Sequence, residues 1–177
     1  MRYLIVELCF IAAFSGLSAH ANTPEPPAAA SAAAEATPDS PELSAFKKAI
    51  RAKYDMKERA FAAGDAKTIV TRFYAEDAQS VGESYGIFHG RKDLWPLYTQ
   101  AVKELNVKVT SMHTVVSGTA GWDWADFEVM PKDPKEGPFT LAILFLWQKI
   151  NGIWVCKGDF YVHGSFKTGK LSPPPAQ

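Results

Sequence analysis

The chain has 177 residues, with 19 basic and 19 acidic side chains that balance to a formal net charge of zero. No cluster of Lys and Arg is long enough to favour nucleic acid or an anionic membrane surface as a partner. Between two polar, Pro-rich segments lie about 130 residues, enough for one domain with its own hydrophobic core.

The first 21 residues have the pattern of a secretory signal peptide. Met1-Arg2-Tyr3 precede a mostly apolar run from Leu4 to Leu17, and Ala19-His20-Ala21 is a small-x-small cleavage pattern. A membrane anchor is the alternative, but the run is shorter than the roughly 20 apolar residues that span a bilayer. We therefore expect an exported protein, periplasmic or secreted, with no membrane span after cleavage.

Two further segments are predicted to be disordered. Residues 22–40 consist mainly of Ala, Pro, Ser, Thr and Glu, which predicts a linker, and residues 167–177 form a Pro-rich tail. Cleavage would remove Cys9 and leave Cys156 alone, so no internal disulfide is expected. Cys156 lies in an apolar strand pattern and is interpreted as a small buried hydrophobe rather than a reactive thiol.

The domain, residues 41–166, begins with helical patterns. Ser40 is a predicted N-cap, and Gly64 is a predicted left-handed cap that ends the first helix. Asp65 caps a short second helix that ends near Tyr74. The apolar side of the first helix consists of Leu43, Phe46, Ile50, Tyr54 and Phe61.

In the second half of the domain, after a third helix, apolar residues recur at every second position, as they do in β-strands. A short strand near Ala78–Val81 precedes a third helix, from about Arg91 to Leu105. Val107–Ser117 and Trp122–Met130 alternate as strands, and Phe139–Val162 reads as a hairpin. The order predicts an α+β fold, a curved antiparallel sheet packed on three helices of the N-terminal half.

The hairpin has a predictable register. Asn151-Gly152 favours a two-residue type I′ turn, which places Ile150 opposite Ile153. One face then carries Leu141, Ile143, Phe145, Trp147, Trp154, Cys156, Gly158, Phe160 and Val162. The other carries Ala142, Leu144, Leu146, Gln148, Ile153, Val155, Lys157, Asp159 and Tyr161. Because both faces are largely apolar and the helices can cover only one, we predict a homodimer through the sheet.

Several short motifs occur together in one order. They are Ala63-Gly64-Asp65, Phe73-Tyr74-Ala75-Glu76-Asp77-Ala78, Gly90-Arg91, and Asn151-Gly152-Ile153-Trp154 followed by Asp159. In this order the chain, from Leu43 to Ser165, resembles the nuclear-transport-factor-2-like superfamily, and most of all its SnoaL-like and ketosteroid-isomerase-like branch. The resemblance implies a cone-shaped sheet around a pocket, usually in a dimer, but it implies no single activity.

The residues of steroid isomerases in this fold are not matched. Their carboxylate base corresponds to Gly82, beside Glu83, and their tyrosine donor corresponds to Lys57. Their second carboxylic acid falls in a region that holds Ile143, Leu144 and Phe145 here. Steroid isomerase chemistry is therefore not expected.

Asp159 is the strongest candidate for a functional residue. A carboxylate in an apolar strand could act as an acid, a base or a hydrogen-bond partner. The alternative is a solvated strand residue, or an ion pair with Lys157. His113 is the second catalytic candidate, as a base beside a carboxylate, although a hydrogen-bonded sheet histidine is the simpler interpretation.

Five other residues are candidates for ligand binding. The hydroxyls of the tyrosines could reach a ligand, or the rings could belong to the core, and the loop between the short strand and the third helix could border the pocket. These candidates are Tyr54, Tyr74, Glu83, Tyr85 and Tyr161. The histidines lack the close spacing of a metal-ligand set, and no cofactor-binding motif is present, so neither a metal nor a cofactor is expected.

Three functions remain open from the sequence. The first is an exported homodimer that binds a small, largely apolar molecule without transforming it. The second is a cofactor-independent isomerase, dehydratase or cyclase that uses Asp159 with His113 or Tyr161. The third is a non-catalytic assembly module whose interior is filled by Phe145, Trp147 and Phe160.

Overall fold

The computed structural model describes residues 38–83 and 85–173. The predicted signal peptide and residues 22–37 of the predicted linker lie outside the described residues. The helices are α1 (Pro41–Ala63), α2 (Ala66–Thr68), which continues into a π-helical turn (Ile69–Phe73), and α3 (Gly90–Glu104). The strands are β1 (Tyr74–Gly82), β2 (Gly86–His89), β3 (Leu105–Ser117), β4 (Ala120–Pro131), β5 (Phe139–Ile150), β6 (Ile153–Ser165) and β7 (Lys170–Leu171). The α+β prediction is confirmed.

The two ends of α1 follow from its capping residues. The Ser40 hydroxyl accepts a hydrogen bond from the Leu43 amide, which would otherwise lack a partner in the first turn. Gly64 adopts φ = 71°, a left-handed conformation that costs glycine little, and it ends the helix. The Asp65 carboxylate then accepts from the Thr68 amide and begins α2. These three predictions are confirmed.

The seven strands form one open sheet in the order β2-β1-β6-β5-β4-β3, with β7 paired to β6. All neighbours are antiparallel except β1 and β6, which are parallel because α3 and the later strands lie between them in the chain. The sequence predicted neither β2 nor the full length of β1. Residues 167–173, assigned to a tail, include β7, so the ordered chain extends beyond residue 166.

The type I′ turn of the hairpin is confirmed, because Asn151 and Gly152 both have positive φ and Ile150 lies opposite Ile153. The register holds as far as Trp147 opposite Cys156, where a β-bulge shifts it by one residue. Beyond the bulge, Asp159 pairs with Phe145.

The predicted faces beyond the bulge are therefore wrong. A shift of one residue exchanges the two sides of a strand. Asp159 and Tyr161 share the side of Phe145, and Phe160 and Val162 share the opposite side.

We call the side of the sheet that packs on α1 and α3 the inner face. Its side chains form the hydrophobic core together with the buried stripe of α1. That core includes Phe46, Ile50, Tyr54, Phe73, Phe127, Phe145, Trp147 and Trp154. The opposite side of the sheet is the outer face.

A buried carboxylate fastens α1 to the sheet. Asp123, on the inner face of β4, accepts hydrogen bonds from the hydroxyls of Tyr54, Ser111 and Thr114, at 2.8, 2.7 and 2.6 Å. Burial raises the pKa of Asp123, while the three donors oppose that rise. Since both oxygens have partners, this cluster is satisfied and requires no ligand.

We predict that Asp123→Ala lowers the free energy of unfolding by about 2–3 kcal/mol, because the buried hydroxyls of Tyr54 and Thr114 lose their acceptor. Urea unfolding measures the change. Asp77→Ala is the control, since Asp77 is an exposed carboxylate whose pair with Lys157 contributes less than about 1 kcal/mol. Equal effects of the two substitutions would contradict a structural role for Asp123.

Candidate functional site

A cavity of about 430 Å³ lies between α1, α3 and the inner face of the sheet, and we call it the inner cavity. Its walls are mostly apolar and aromatic. They include Phe61, Leu97, Tyr98, Phe127, Val129, Phe139, Leu141, Ile143 and Tyr161. Buried Lys57, Ser80 and Asp159 lie at its closed end, whereas exposed Tyr85, Gln100, Glu104 and Glu136 lie at its mouth.

Four polar side chains meet at the closed end of this cavity. The Tyr74 hydroxyl donates to Asp159 Oδ2 at 2.5 Å and lies 2.6 Å from the Tyr98 hydroxyl. Lys57 Nζ donates to both hydroxyls at 3.0 Å. The two tyrosines thus connect an amine to a carboxylate through hydrogen bonds. We call these four residues the polar tetrad.

Burial sets the electrostatics of the polar tetrad. Lys57 is only 1% exposed. Desolvation lowers the pKa of its amine to about 8, although the negative charge of Asp159 opposes the shift. Burial, and then the charge of Asp159, raises the pKa of Tyr74 and Tyr98 well above the ordinary tyrosine value. Both hydroxyls are therefore protonated donors at neutral pH.

Aromatic rings surround the Lys57 amine. Nζ lies 4.2 Å from the centre of the Phe73 ring and 4.9 Å from that of Tyr74. The faces of such rings attract a cation, so they stabilise the ammonium form where water is excluded. These rings therefore offset part of the cost of burying the ammonium group.

One oxygen of the polar tetrad has no partner. Asp159 is 2% exposed, and its Oδ1 atom is buried without a hydrogen bond. Leaving a buried acceptor unsatisfied costs about 1–3 kcal/mol, and more for a charged group. Because Asp159 lines the inner cavity, a ligand that donates a hydrogen bond could satisfy this oxygen.

Each member of the tetrad comes from a different element. Lys57 lies on the buried stripe of α1, and Tyr98 on the inward side of α3. Tyr74 begins β1, directly after the π-helical turn. Asp159 faces inward because of the β-bulge in β6. The site therefore depends on the tertiary fold and not on one local motif.

Four of the predicted site residues belong to the inner cavity or its polar tetrad. They are Tyr74, Tyr85, Asp159 and Tyr161. The Tyr85 ring stacks on His163 with 6.1 Å between ring centres, and it also lies 5.8 Å from the Tyr161 ring. Burial raises the pKa of Tyr161, so this cavity residue also carries a protonated hydroxyl.

Three predicted residues lie elsewhere. His113 is exposed on the outer face of β3, so it does not approach Asp159. Tyr54 donates to Asp123 in the core. Glu83 accepts a hydrogen bond from the His163 amide and lines the outer face instead. Asp159 also forms no pair with Lys157, whose amine contacts Asp77.

Sequence reasoning missed Lys57, Tyr98 and Ser80. Tyr98 lies on the apolar side of α3, where a tyrosine ring is ordinarily a core residue and its hydroxyl gives no local signal. For Lys57 there was a signal, because it falls three residues after Tyr54 and four before Phe61 on the apolar stripe of α1. Because lysine is almost never fully buried unless it is paired, a lysine in the middle of such a stripe indicates a polar partner in the interior.

The outer face contains a second, apolar groove of about 710 Å³, which we call the outer groove. It is lined by Val81, Trp124, Ala142, Leu144, Phe160, Val162, Phe166 and Leu171. Asp126 of β4 accepts hydrogen bonds from the Ser165 hydroxyl and the Phe166 amide, and these two residues line the groove. Phe160 is 48% exposed in this groove.

In residues 38–83 and 85–173, no three His, Cys, Asp or Glu side chains are grouped so that they could hold a metal ion. In the same ranges, no helix is long and apolar enough to cross a membrane.

Comparison with known proteins identifies the fold. No protein-family model and no curated protein matches the sequence. An NTF2-like protein of unknown function from Pseudomonas putida superposes with a TM-score of 0.60 at 13% identity, covering 76% of this chain and 98% of its own. A ketosteroid isomerase-like protein from Erwinia carotovora gives 0.58 at 19% identity, covering 72% and 99%.

A third structure agrees with these two. An NTF2-like protein with a cystatin-like fold from Novosphingobium aromaticivorans gives a TM-score of 0.60 at 14% identity, covering 71% of this chain and 88% of its own. At such low identities the likeness concerns the fold, and function has to be argued from the site. The chain has the nuclear-transport-factor-2-like fold, as the sequence predicted.

Proposed function

We propose that this protein is an exported homodimer that binds a small, largely apolar molecule in the inner cavity. The main support is the buried Asp159 Oδ1 atom, which has no partner and belongs to a residue that lines an open cavity. The aromatic walls would hold the apolar body of the ligand, and Asp159 would accept a hydrogen bond from its polar end. A ligand with one hydroxyl or amine on a ring system matches both features.

The outer groove supports the dimer. Phe160 and Val162 are exposed beside Leu144 on the outer face, in a groove with few polar atoms. Exposed apolar surface of this extent favours association with a second copy related by two-fold symmetry. The inner cavity opens on the other side of the sheet, so such a dimer would leave its mouth accessible.

A second candidate function is catalysis by a cofactor-independent isomerase, dehydratase or cyclase of the SnoaL-like type. Asp159 would act as the base through its Oδ1 atom, which has no hydrogen-bond partner and belongs to a residue that lines the inner cavity. His113 is too exposed on the opposite face to assist, so Tyr74 and Tyr98 would supply the proton donors. Turnover of a bound compound would distinguish this function from simple binding.

A filled assembly module is the least supported function. Phe145 and Trp147 are buried in the core, but they leave the inner cavity open. Phe160 points to the outer face, because the β-bulge turns it away from the helices. The three side chains expected to fill the interior therefore do not do so.

We predict that the protein purified from the exported fraction begins at Asn22 and is a dimer with a bound small molecule. Native mass spectrometry measures the chain mass, the assembly and the extra mass together. An intact residue 1–21 segment would contradict export with cleavage. An empty dimer would favour an enzyme that has released its product.

We predict that Asp159→Asn weakens the preference of the inner cavity for a hydrogen-bond donor, because the Asn carbonyl oxygen is a neutral acceptor and forms a weaker bond than a carboxylate. The probes are 2-naphthalenemethanol and 2-methylnaphthalene, which differ by one hydroxyl. A hydrogen bond to a charged acceptor contributes about 1.5–3 kcal/mol, so the wild type should bind the alcohol roughly 10- to 100-fold more tightly. Calorimetry measures both affinities.

The control for this test is Asp77→Asn, an exposed carboxylate that lies outside the cavity. It should keep the preference for the alcohol. Equal affinity of the wild type for the two probes would show that Asp159 Oδ1 does not contact the hydroxyl.

We predict that Phe160→Glu converts the dimer to a monomer, because a charge at the centre of the outer groove would be buried without a partner. Light scattering after size-exclusion chromatography measures the mass. Ile87→Glu is the control, since Ile87 is also exposed but lies on β2, at the edge of the sheet. A monomeric wild type, or a dimeric Phe160→Glu variant, would rule out pairing through this groove.

A further inference from the structure

The Lys57 amine has an environment that is unusual for a lysine. Lys57 is one of the residues that line the inner cavity, and the only hydrogen-bond partners of its amine in the described ranges are the hydroxyls of Tyr74 and Tyr98. Throughout residues 38–83 and 85–173, no carboxylate lies within 4 Å of it, so its charge is not held by a direct ion pair. A purely structural buried lysine usually has such a pair.

Burial makes this amine partly neutral under ordinary conditions. With a pKa of about 8, roughly a tenth of the amine is unprotonated at pH 7, against about one part in 2,500 for an ordinary lysine. Only the neutral amine has a lone pair that can attack carbon. A lysine desolvated in an apolar pocket is a known means of activating this nucleophile.

The neighbours of Lys57 can move the protons that such an attack requires. Tyr74 and Tyr98 lie 3.0 Å from Nζ and are protonated donors at neutral pH. Tyr74 is also bonded to Asp159, which can accept a proton through it. The unpartnered Asp159 Oδ1 provides a second acceptor at the cavity wall.

We propose that Lys57 is a nucleophile that captures aldehydes or ketones in the inner cavity as an imine. This inference rests on the proposed function in one respect, since it requires that the inner cavity admits a ligand. It adds the chemical class of that ligand, a carbonyl compound on an aromatic or otherwise apolar body. Phe61, Phe127 and Phe139 in the walls favour such a body.

The reaction balances without any external oxidant or reductant. The Lys57 lone pair forms a bond to the carbonyl carbon, and the π electrons move to the carbonyl oxygen, which takes a proton from Tyr98 or Tyr74. The nitrogen loses a proton through Tyr74 towards Asp159. The carbinolamine hydroxyl then takes the proton held by Asp159 and leaves as water, while the nitrogen lone pair forms the C=N bond. The proton that remains on the iminium nitrogen returns to the tyrosinate, so every side chain ends in its starting protonation state.

The test uses 2-naphthaldehyde with the mature protein, residues 22–177. Sodium cyanoborohydride reduces the imine by delivering hydride to its carbon, which fixes the adduct as a secondary amine. Peptide mapping by mass spectrometry then locates the label. We expect one labelled lysine, Lys57, modified at pH 7 at least ten-fold faster than any other lysine; peptide mapping separates this adduct from labelling of the N-terminal α-amino group, whose ordinary pKa is about 7.7–8.0.

The pH dependence gives a second readout. Because the pKa of Lys57 is lowered in the folded protein, its neutral fraction should rise through pH 8, whereas that of surface lysines rises near pH 10.4. The selectivity for Lys57 should therefore be large at pH 7 and decline above pH 9. Labelling spread evenly over the lysines at pH 7 would overturn the proposal.

Two lysine variants test whether Lys57 itself is the nucleophile. Lys57→Arg keeps a cation but cannot form an imine, so it should lose the adduct. Lys53→Arg, one turn away on α1, should retain it, because Lys53 Nζ binds the Arg72 carbonyl outside the cavity. Since Lys57→Arg could disturb folding, the location of the wild-type adduct decides the question by itself.

The non-reactive alcohol separates this inference from the proposed function. If 2-naphthalenemethanol binds and slows labelling of Lys57, both hold. If the alcohol binds but the aldehyde gives no Lys57 adduct, the imine proposal fails and the binding function stands. If neither probe binds, both are contradicted.

Discussion

One extra residue in β6 decides which side chains meet the helices. Lys157 lies in the β-bulge opposite the junction of Trp147 and Leu146, and every residue after it changes sides. Asp159 therefore points into the cavity, and Phe160 points away from it. Gly158 makes the arrangement sterically feasible, since a Cβ there would lie 2.6 Å from the Gln79 carbonyl oxygen of the neighbouring strand.

The polar tetrad resolves the cost of burying charge in an unusual way. A buried amine and carboxylate in direct contact would each lose water in exchange for the other. Here the Tyr74 hydroxyl lies between Lys57 and Asp159 and is hydrogen-bonded to both. The opposite charges still attract each other, but the amine and the carboxylate make no direct contact. The amine keeps a lowered pKa, and the carboxylate keeps a free oxygen, and both face a cavity with apolar walls.

The sequence predicted the parts of the fold that local rules govern. Ser40, Gly64 and Asp65 mark helix ends through their own backbone and capping preferences, and Asn151-Gly152 specifies its turn. Gly158 marked a possible site for a bulge in the sequence, but whether the bulge forms depends on how closely β1 approaches Gly158, a contact between residues far apart in the chain. The predicted assignment of the β6 residues beyond the bulge to the two faces of the sheet was consequently wrong.

The site was predictable only in part for the same reason. Asp159 was conspicuous as a carboxylate among apolar residues, and this local contrast was sufficient to select it. Its partners could not be selected, since Lys57, Tyr74 and Tyr98 come from three elements that only the folded chain brings together. His113 alternates with apolar residues much as Asp159 does, but it lies on the other side of the sheet.

Strand β6 connects the two surfaces of the sheet through consecutive residues. Asp159 and Tyr161 face the inner cavity, while Phe160 between them faces the outer groove. A rigid strand cannot move one set without moving the other. A ligand that displaced β6 from the inner side would also displace Phe160, and in that case binding in the cavity and any association through the outer groove would change each other's equilibrium constant by the same factor.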